Sequence, residues 1–252
     1  MRLDHLLVER GLAESRAKAQ ALILAGRVFT GEQRLDKPGR AVAADLPLAV
    51  RSSGSDYVSR GGTKLVHALD RFRLDPAGRV ALDIGASTGG FTDVLLRRGA
   101  ERVYAVDVGH GQLDWGLRND PRVVVLERTN ARHLTRTQVA EPLSAIVCDA
   151  SFIGLETVLP AALELAAPNG WLVALIKPQF EVGKGRVGKG GVVTDPALHV
   201  EVCQRIATWL EAIAGWSVLG LTESPIKGPK GNAEFLVAAR RAPLGEDRDP
   251  TA

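Results

Sequence analysis

The fold of this chain is decided by the stretch Leu82-Asp83-Ile84-Gly85-Ala86-Ser87-Thr88-Gly89-Gly90-Phe91. The apolar run over 80–84 predicts a strand, a glycine-rich turn follows it, and a helical pattern begins at Phe91. A second predicted strand, 102–106, ends at the acidic Asp107. This order of elements is typical of a nucleotide-type cofactor site at the C-terminal edge of a parallel sheet.

The turn departs from the dinucleotide fingerprint G-x-G-x-x-G at its middle glycine, where this chain has Ser87. That glycine lets the backbone approach a pyrophosphate, so a cofactor without a pyrophosphate has less need of it. We therefore expect S-adenosylmethionine, with Asp107 accepting hydrogen bonds from its ribose. Asp107 follows Gly85 by 22 residues, close to the usual spacing of about 20. The alternative is a plain tight connection between strand and helix.

A second glycine cluster, Gly183-Lys184-Gly185-Arg186-Val187-Gly188-Lys189-Gly190, nearly matches a Walker phosphate loop. Its final position is Gly190, which offers no hydroxyl for magnesium. No predicted strand leads into the cluster, and the next helix begins only near Asp195-Pro196. We interpret this segment as a mobile, basic substrate loop.

The composition is that of an ordinary globular protein, with 24% charged and 45% hydrophobic residues. The net charge of +3 is unevenly placed. Residues 1–60 carry 10 Lys and Arg against 7 Asp and Glu, whereas residues 61–252 carry 22 of each class. The asymmetry indicates an anionic partner such as nucleic acid. A slightly basic soluble domain is the alternative.

The cysteines, the histidines and the lengths of the apolar runs indicate which classes of protein this chain does not belong to. Cys148 and Cys203 sit in apolar contexts, which predicts buried free thiols of a reducing compartment. The five histidines are scattered, so we expect no metal. We find neither a signal-peptide pattern nor an apolar run long enough for a bilayer. We expect a cytoplasmic monomer without membrane contact.

Residues 1–51 have a pattern of their own and predict a small α+β domain. Leucines at helical spacing predict a first helix, and Ser15 is a candidate N-cap for a second. Short strands are predicted at 27–30 and 46–50. Arg16, Lys18 and Arg27 cluster around the second helix and could form a positive ridge that binds phosphates. The alternative is an ordinary solvated helix face.

Several of these segments resemble the RNA-binding domain named after ribosomal protein S4. The matching stretches are Arg2-Leu3-Asp4, 8–16, Leu22-Ile23 and Gly26-Arg27-Val28. The chain departs from that family at Phe29-Thr30-Gly31, where the family usually has a hydrophobic residue, Asn and Gly. The resemblance implies structured RNA as the partner.

Ser and Gly residues over 52–62 indicate a linker, and apolar runs alternate with helical patterns over 63–242. This predicts an α/β, Rossmann-like, mostly parallel sheet with helices on both faces and an antiparallel edge hairpin. Residues 243–252 are expected to be disordered. We predict strands near 80–84, 102–106, 123–126, 144–148, 171–176, 216–222 and 234–240, and helices near 64–73, 89–98, 110–117, 155–167 and 196–213.

Charged residues stand where these predicted elements begin or end. Asp149 and Lys177 each follow a strand, Glu234 opens the last strand, and Lys64 opens the first helix of the second domain. Parallel strand ends converge on the cofactor crevice, and an antiparallel strand entering there brings its first residue with it. Taken singly, each of these residues also has an ordinary structural interpretation: Asp149 could cap the following segment, and Lys64 could be a solvated helix residue.

Together these four match the Lys-Asp-Lys-Glu tetrad of ribose 2′-O-methyltransferases related to FtsJ. With 57–65, 176–181 and 231–235, the chain from residue 1 to about 240 resembles the TlyA (haemolysin A) family. The resemblance implies a class I methyltransferase sheet and methylation of cytidine ribose in ribosomal RNA. It implies cofactor binding by Asp83, Gly85, Ala86, Ser87, Thr88, Gly90, Phe91, Asp107, Asn130 and Asp149, and RNA binding by Arg2, Arg16, Lys18, Arg27 and Arg60.

The chemistry of a ribose hydroxyl, a very weak acid, explains these residue types. Lys177, kept neutral by desolvation or neighbouring positive charge, is expected to accept its proton. Asp149 and Glu234 would orient the lysine and the hydroxyl, and Lys64 would stabilise the developing negative charge. Asn130 is expected to bind adenine or to be a turn residue, and Phe91 to pack beneath the turn.

Three other functions compete with this hypothesis. A small-molecule methyltransferase would not need the basic N-terminal domain. A non-catalytic RNA-binding protein would have less need of four charged residues around one crevice. A membrane-damaging toxin would need a membrane-active segment, and the sequence shows no long, strongly apolar amphipathic helix.

Overall fold

The computed structural model describes residues 1–24, 26–31, 33–50 and 57–243. The chain divides into two compact units, Met1–Asp56 and Tyr57–Ala252. Most of the expected linker before Tyr57, and the expected disordered tail from residue 244, lie outside the described residues.

The N-terminal unit packs two helices against a small antiparallel sheet of order β2-β1-β3. Ser15 Oγ accepts a hydrogen bond from Lys18 N at 3.2 Å, as expected of the N-cap. The strand expected over 46–50 is shorter, and β2 was not predicted because its residues are polar. The elements are α1 (Leu3–Glu9), α2 (Arg16–Leu24), β1 (Val28–Thr30), β2 (Gln33–Arg34) and β3 (Ala49–Val50).

The second unit is a seven-stranded sheet, and its strands and helices alternate along the chain as predicted. Its elements are α3 (Gly61–Phe72), β4 (Val80–Ile84), α4 (Gly90–Arg97), β5 (Arg102–Val106), α5 (Trp115–Arg118), β6 (Val123–Leu126), β7 (Leu143–Cys148), α6 (Leu155–Val158), α7 (Pro160–Glu164), β8 (Ala166–Ile176), α8 (Pro178–Glu181), α9 (Pro196–Ala212), β9 (Trp216–Glu223) and β10 (Phe235–Arg241).

The sheet order is β6-β5-β4-β7-β8-β10-β9. Neighbours from β6 to β8 pair in parallel, and β10 pairs antiparallel with β8 and β9. The predicted edge hairpin is therefore confirmed. Side chains alternate between two cores on the opposite faces of the sheet: Leu82 and Ile146 belong to one, and Ala81 and Val147 to the other.

Three predicted helices differ from the structure. The helix expected from 64 begins at Gly61, inside the segment expected to be a linker. The helix expected over 155–167 is two short helices, because Pro160 lacks an N–H and begins the second one. The helix expected over 110–117 is reduced to Trp115–Arg118, after a segment in which Gly111 has a left-handed φ of 67°.

Candidate active site

The glycine-rich turn after β4 runs directly against the end of β7. Gly85 has φ +79°, and a Cβ there would lie 2.9 Å from Ala150 Cα. Only glycine permits this approach. Ser87 is itself left-handed, with φ 49°. The middle position of the turn thus keeps a conformation that glycine favours, although its residue is serine.

Asp107 is fastened to this turn. Its carboxylate accepts hydrogen bonds from Ser87 N at 2.9 Å and from Gly109 N at 2.7 Å. The acid at the end of β5 and the turn after β4 therefore form one rigid rim, as the sequence pattern predicts for a cofactor site.

Two cavities meet at this rim. The larger, of about 550 Å³, contains the four charged residues, and the smaller, of about 360 Å³, contains Asp107 and Asn130. They share Gly85, Ser87, Asp149 and Ser151.

The four charged side chains form a row of alternating sign. Glu234 Oε2 lies 2.6 Å from Lys64 Nζ, and Lys64 Nζ lies 3.6 Å from Asp149 Oδ2. Asp149 Oδ1 lies 2.6 Å from Lys177 Nζ. Lys177 also donates to the Asp149 carbonyl at 3.0 Å and to Ser151 Oγ at 2.9 Å. Both lysines and Glu234 are buried. The structure thus brings together all four side chains that the sequence singled out.

Glu234 offers an unused acceptor to the larger cavity. Its side chain is fully buried, and its Oε1 has no hydrogen-bond partner among the described residues. A Cβ on Gly228 would lie 2.1 Å from this atom, so any larger residue there would displace the Glu234 carboxylate. A buried acceptor without a donor is costly, which favours a ligand that donates to it.

Asp83 is the second buried acid of the larger cavity. Thr92 Oγ1 donates to its Oδ2 at 2.7 Å, and Oδ1 has no partner within the described part of the chain. Burial raises the pKa of Asp83 to about 7, with a smaller contribution from the charge of Asp149. A cationic group near Oδ1 would favour the ionised form.

The predicted cofactor residues all line one of the two cavities. Phe91 belongs to the hydrophobic core as expected, at 3% exposure, and Asn130 Oδ1 also caps a short helix by accepting from Arg132 N at 3.1 Å. The larger cavity includes Asp83, Gly85, Ala86, Ser87, Thr88, Gly90, Phe91 and Asp149; the smaller includes Gly85, Ser87, Asp107, Asn130 and Asp149.

The predicted RNA-binding residues fall in both units. Arg60 lines the larger cavity. In the N-terminal unit, Arg2 and Arg16 both donate to the buried Asp4, at 2.9 and 3.1 Å. The Arg2 guanidinium holds the pKa of Asp4 well below its usual range. Each arginine keeps about half of its side chain exposed, so each can still reach an anion. Lys18 lies in α2, and Arg27 comes directly before β1.

Sequence reasoning missed Ser151 and Phe152 beside Asp149. Ser151 lines both cavities; its place after the end of β7 could have suggested it. Phe152 is 89% exposed with a left-handed φ of 66°, and its ring centroid lies 4.9 Å from that of Phe180. Such strain in an exposed aromatic residue is typical of functional sites. No sequence pattern announces it.

The glycine cluster at 183–190 contains short 3-10 turns and lies after α8, with no strand leading in. Lys230 Nζ donates to Gly190 O at 2.8 Å. Asn232, which is buried, donates to Gly191 O at 3.1 Å and accepts from Val193 N at 3.1 Å. The loop is thus anchored to the segment that leads into Glu234.

Two further expectations concern thiols and membranes. Cys148 and Cys203 are both free, and burial raises the pKa of Cys148 to about 12. In the described ranges, the helices are too short or too polar to cross a bilayer.

Two family patterns match the chain. That of the FtsJ-like methyltransferases matches residues 57–241, and that of the S4 domain matches residues 1–45. The chain is 51% identical to the 16S/23S rRNA (cytidine-2′-O)-methyltransferase TlyA of Mycobacterium tuberculosis, over 95% of this chain and 89% of the relative. It is 41% identical to Hemolysin A of Brachyspira hyodysenteriae, over 94% and 98%.

A solved structure of a Streptococcus thermophilus protein described as a hemolysin superposes with a TM-score of 0.75. It is 40% identical, and the match covers 100% of this chain and 92% of that one. These matches extend through both units. The chain therefore belongs to the TlyA (haemolysin A) family of FtsJ-like methyltransferases with an N-terminal S4 domain.

Proposed function

We propose that this enzyme transfers a methyl group from S-adenosylmethionine to the 2′-hydroxyl of cytidine in ribosomal RNA. The observation that carries the proposal is the row Glu234–Lys64–Asp149–Lys177, of which all but Asp149 are buried, beside the glycine-rich turn. The name of the Mycobacterium tuberculosis relative supports the choice of cytidine ribose.

The residues of the two cavities fit the proposed cofactor. Asp83 Oδ1 is a buried acceptor without a partner in the described residues, suited to the amino group of the methionine part. Gly85 lets the turn pack against the end of β7 and lines both cavities, and Asp107 stands where ribose hydroxyls would be held. Asn130 and the apolar walls of the smaller cavity suit adenine. When bound, S-adenosylmethionine supplies an electrophilic methyl group on a sulfonium.

Lys177 is the proposed general base. In its neutral form it accepts the proton of the 2′-hydroxyl at Nζ. Asp149 and Ser151 hold the amine in place through contacts of 2.6 and 2.9 Å. Because this amine is fixed by two residues that line both cavities, positioning of the hydroxyl contributes much of the acceleration.

Lys64 and Glu234 act on the substrate oxygen. Glu234 Oε1, which has no donor among the described residues, can accept a ribose hydroxyl and orient the sugar. Lys64, held by Glu234 Oε2, places a fixed positive charge where the oxygen becomes negative. The charge is set before substrate arrives, so little reorganisation is needed during reaction.

The surroundings of the larger cavity favour RNA over a small substrate. Arg60 and Lys227 are exposed cations on its wall, suited to phosphates. Phe152, on the wall of the adjoining smaller cavity, presents an exposed ring on which an unstacked base could lie. A small-molecule enzyme would have no use for these features.

The test is methyl transfer from labelled S-adenosylmethionine to ribosomal RNA, followed by mapping of 2′-O-methyl groups. We expect cytidine ribose to be labelled by the wild type, and labelling to be lost in Lys177→Ala. Methylation of a base atom, or no transfer to naked RNA, 30S or 50S subunits, would overturn the proposal.

A further inference from the structure

A row of basic side chains begins in the active site, at the N-cap Arg60 of α3, and continues along the helix. Arg60, Lys64, His67 and Arg71 are spaced i, i+4, i+7 and i+11, and therefore lie on one face. Arg60 and Lys64 line the larger cavity. His67 Nε2 lies 3.2 Å from Thr222 Oγ1 of β9, which fixes this face against the edge strand.

At the far end of this face lies a third cavity, of about 380 Å³, formed by α3, β9 and β10. Three arginines line it, and none has a side-chain hydrogen bond or ion pair within the described residues: Arg71, Arg73 and Arg240. Acidic groups nearby do not cancel them. Asp70 is paired with Arg98 at 2.7 Å, Asp75 accepts a hydrogen bond from Ala77 N at 2.9 Å, and Glu223 is the acidic residue of β9.

The floor of this arginine pocket is apolar. Phe72 lies over Gly220, where an added Cβ would be 3.1 Å from the ring. Leu219 and Leu221 beside it are 41% and 38% exposed. A floor of this kind beneath three guanidinium groups suits a ligand with phosphates and flat or apolar faces, as nucleic acid has.

The arginine pocket is too far from the active site for a single nucleotide to contact both. Seven helical residues separate Lys64 from Arg71, or about 10 Å at 1.5 Å each. Six strand residues separate Glu234 from Arg240, or about 20 Å at 3.3 Å each. A single nucleotide in the active site would not reach this pocket, but a structured RNA would.

We infer that the arginine pocket binds backbone phosphates of the same RNA whose ribose enters the active site. This inference rests on the proposed function and adds a second contact surface on the methyltransferase unit. Because phosphate contacts release counterions, each one adds about 0.9 to the slope of log affinity against log salt.

The test compares Arg71→Ala and Arg240→Gln with Arg122→Ala, in the full-length protein. Arg122 is an exposed arginine outside the pocket, paired with Asp120 at 2.8 Å in the turn before β6, so it controls for the loss of one surface arginine. Arg240→Gln keeps most of the side-chain stem and guards against loss of fold. Arg73 is left in place because its left-handed φ of 53° ends α3.

Affinity for a ribosomal RNA fragment is measured by filter binding between 50 and 300 mM salt. Each pocket variant is expected to bind about 3- to 10-fold more weakly, with the salt slope lowered by about 0.9. The maximal methylation rate and the S-adenosylmethionine affinity should stay at wild-type values. Arg122→Ala should match the wild type.

The inference is overturned if both pocket variants keep the RNA affinity and the salt slope of the wild type. That result is expected if the pocket binds a protein partner and not RNA. This outcome differs from a failure of the proposed function, in which the wild-type protein itself would not methylate RNA.

Discussion

Asp149 lies between Lys64 and Lys177, with its two carboxylate oxygens 3.6 and 2.6 Å from their amines. One carboxylate therefore balances two lysines whose side chains are at most 9% exposed. Glu234 balances Lys64 from the other side. The site is a single charge network, and a change at its centre affects every member.

Asp149→Ala is expected to destabilise the protein by about 2–3 kcal/mol, because it leaves the buried amine of Lys177 without its carboxylate partner and Lys64 with Glu234 alone. Urea denaturation measures the loss. Asp120→Ala removes a carboxylate that is also 21% exposed but is paired with the exposed Arg122 and not with buried amines. It is the control and should cost about 0–1 kcal/mol. Equal effects of the two substitutions would contradict the proposed network.

Gly85→Ala should damage both the fold and the cofactor site. Its Cβ would lie 2.9 Å from the backbone of Ala150, and its φ of +79° is unfavourable for alanine. Gly78→Ala is the matched control: its φ is +65°, but a Cβ there meets nothing within 4 Å.

The control should cost only the left-handed strain, about 1–2 kcal/mol. Gly85→Ala should lower the free energy of unfolding by more than this. It should also weaken S-adenosylmethionine binding, measured by calorimetry, at least about tenfold, which is a loss of about 1.4 kcal/mol. The account of the turn fails if the two variants are equally stable and bind the cofactor equally well.

Asp83 should make stability depend on pH. Its pKa is raised from 3.8 to about 7 by burial, so the folded protein holds a proton that the unfolded chain releases above about pH 4. The stabilisation from this proton is complete below about pH 4 and is lost as the pH rises to 7.

Asp83→Asn removes this titration and keeps an acceptor for Thr92. The variant should be more stable than the wild type at pH 8, by at most about 4 kcal/mol from about three pKa units. The difference should shrink towards pH 4. Denaturation at both pH values tests this, and a difference independent of pH would refute it.

Lys18→Ala should weaken RNA binding through the N-terminal unit. The N-cap contact of Ser15 uses the Lys18 backbone N–H, so the helix keeps it. Loss of one phosphate contact lowers the salt slope by about 0.9, and calorimetric cofactor binding should not change. An unaltered slope would exclude Lys18 from the RNA contact.

The strand and turn pattern allowed most of the catalytic sheet to be predicted from the sequence. Val80–Ile84 and Arg102–Val106 are confirmed at their predicted bounds, because buried parallel strands are continuous apolar runs. The start of α3 at Gly61 was missed, since its Ser and Gly residues suggest a loop. Close packing overrides that propensity: a Cβ on Gly62 would lie 2.7 Å from the Tyr57 side chain.

Other features depend on contacts that no local pattern contains. The arginine pocket joins residues from α3 and from two strands about 150 residues further on. Ser151 reaches Lys177 only because β7 and β8 are neighbours. Charged residues at strand ends were predictable because every parallel strand brings its end to the same edge.

Single-turnover methyl transfer by Lys177→Ala, with ribosomal RNA and S-adenosylmethionine saturating, tests the central claim most directly. We predict a rate lower by a factor on the order of 10²–10⁴, with calorimetric cofactor affinity within about threefold of wild type, or about 0.6 kcal/mol. Transfer to the 2′-oxygen at the wild-type rate would contradict the role of this amine.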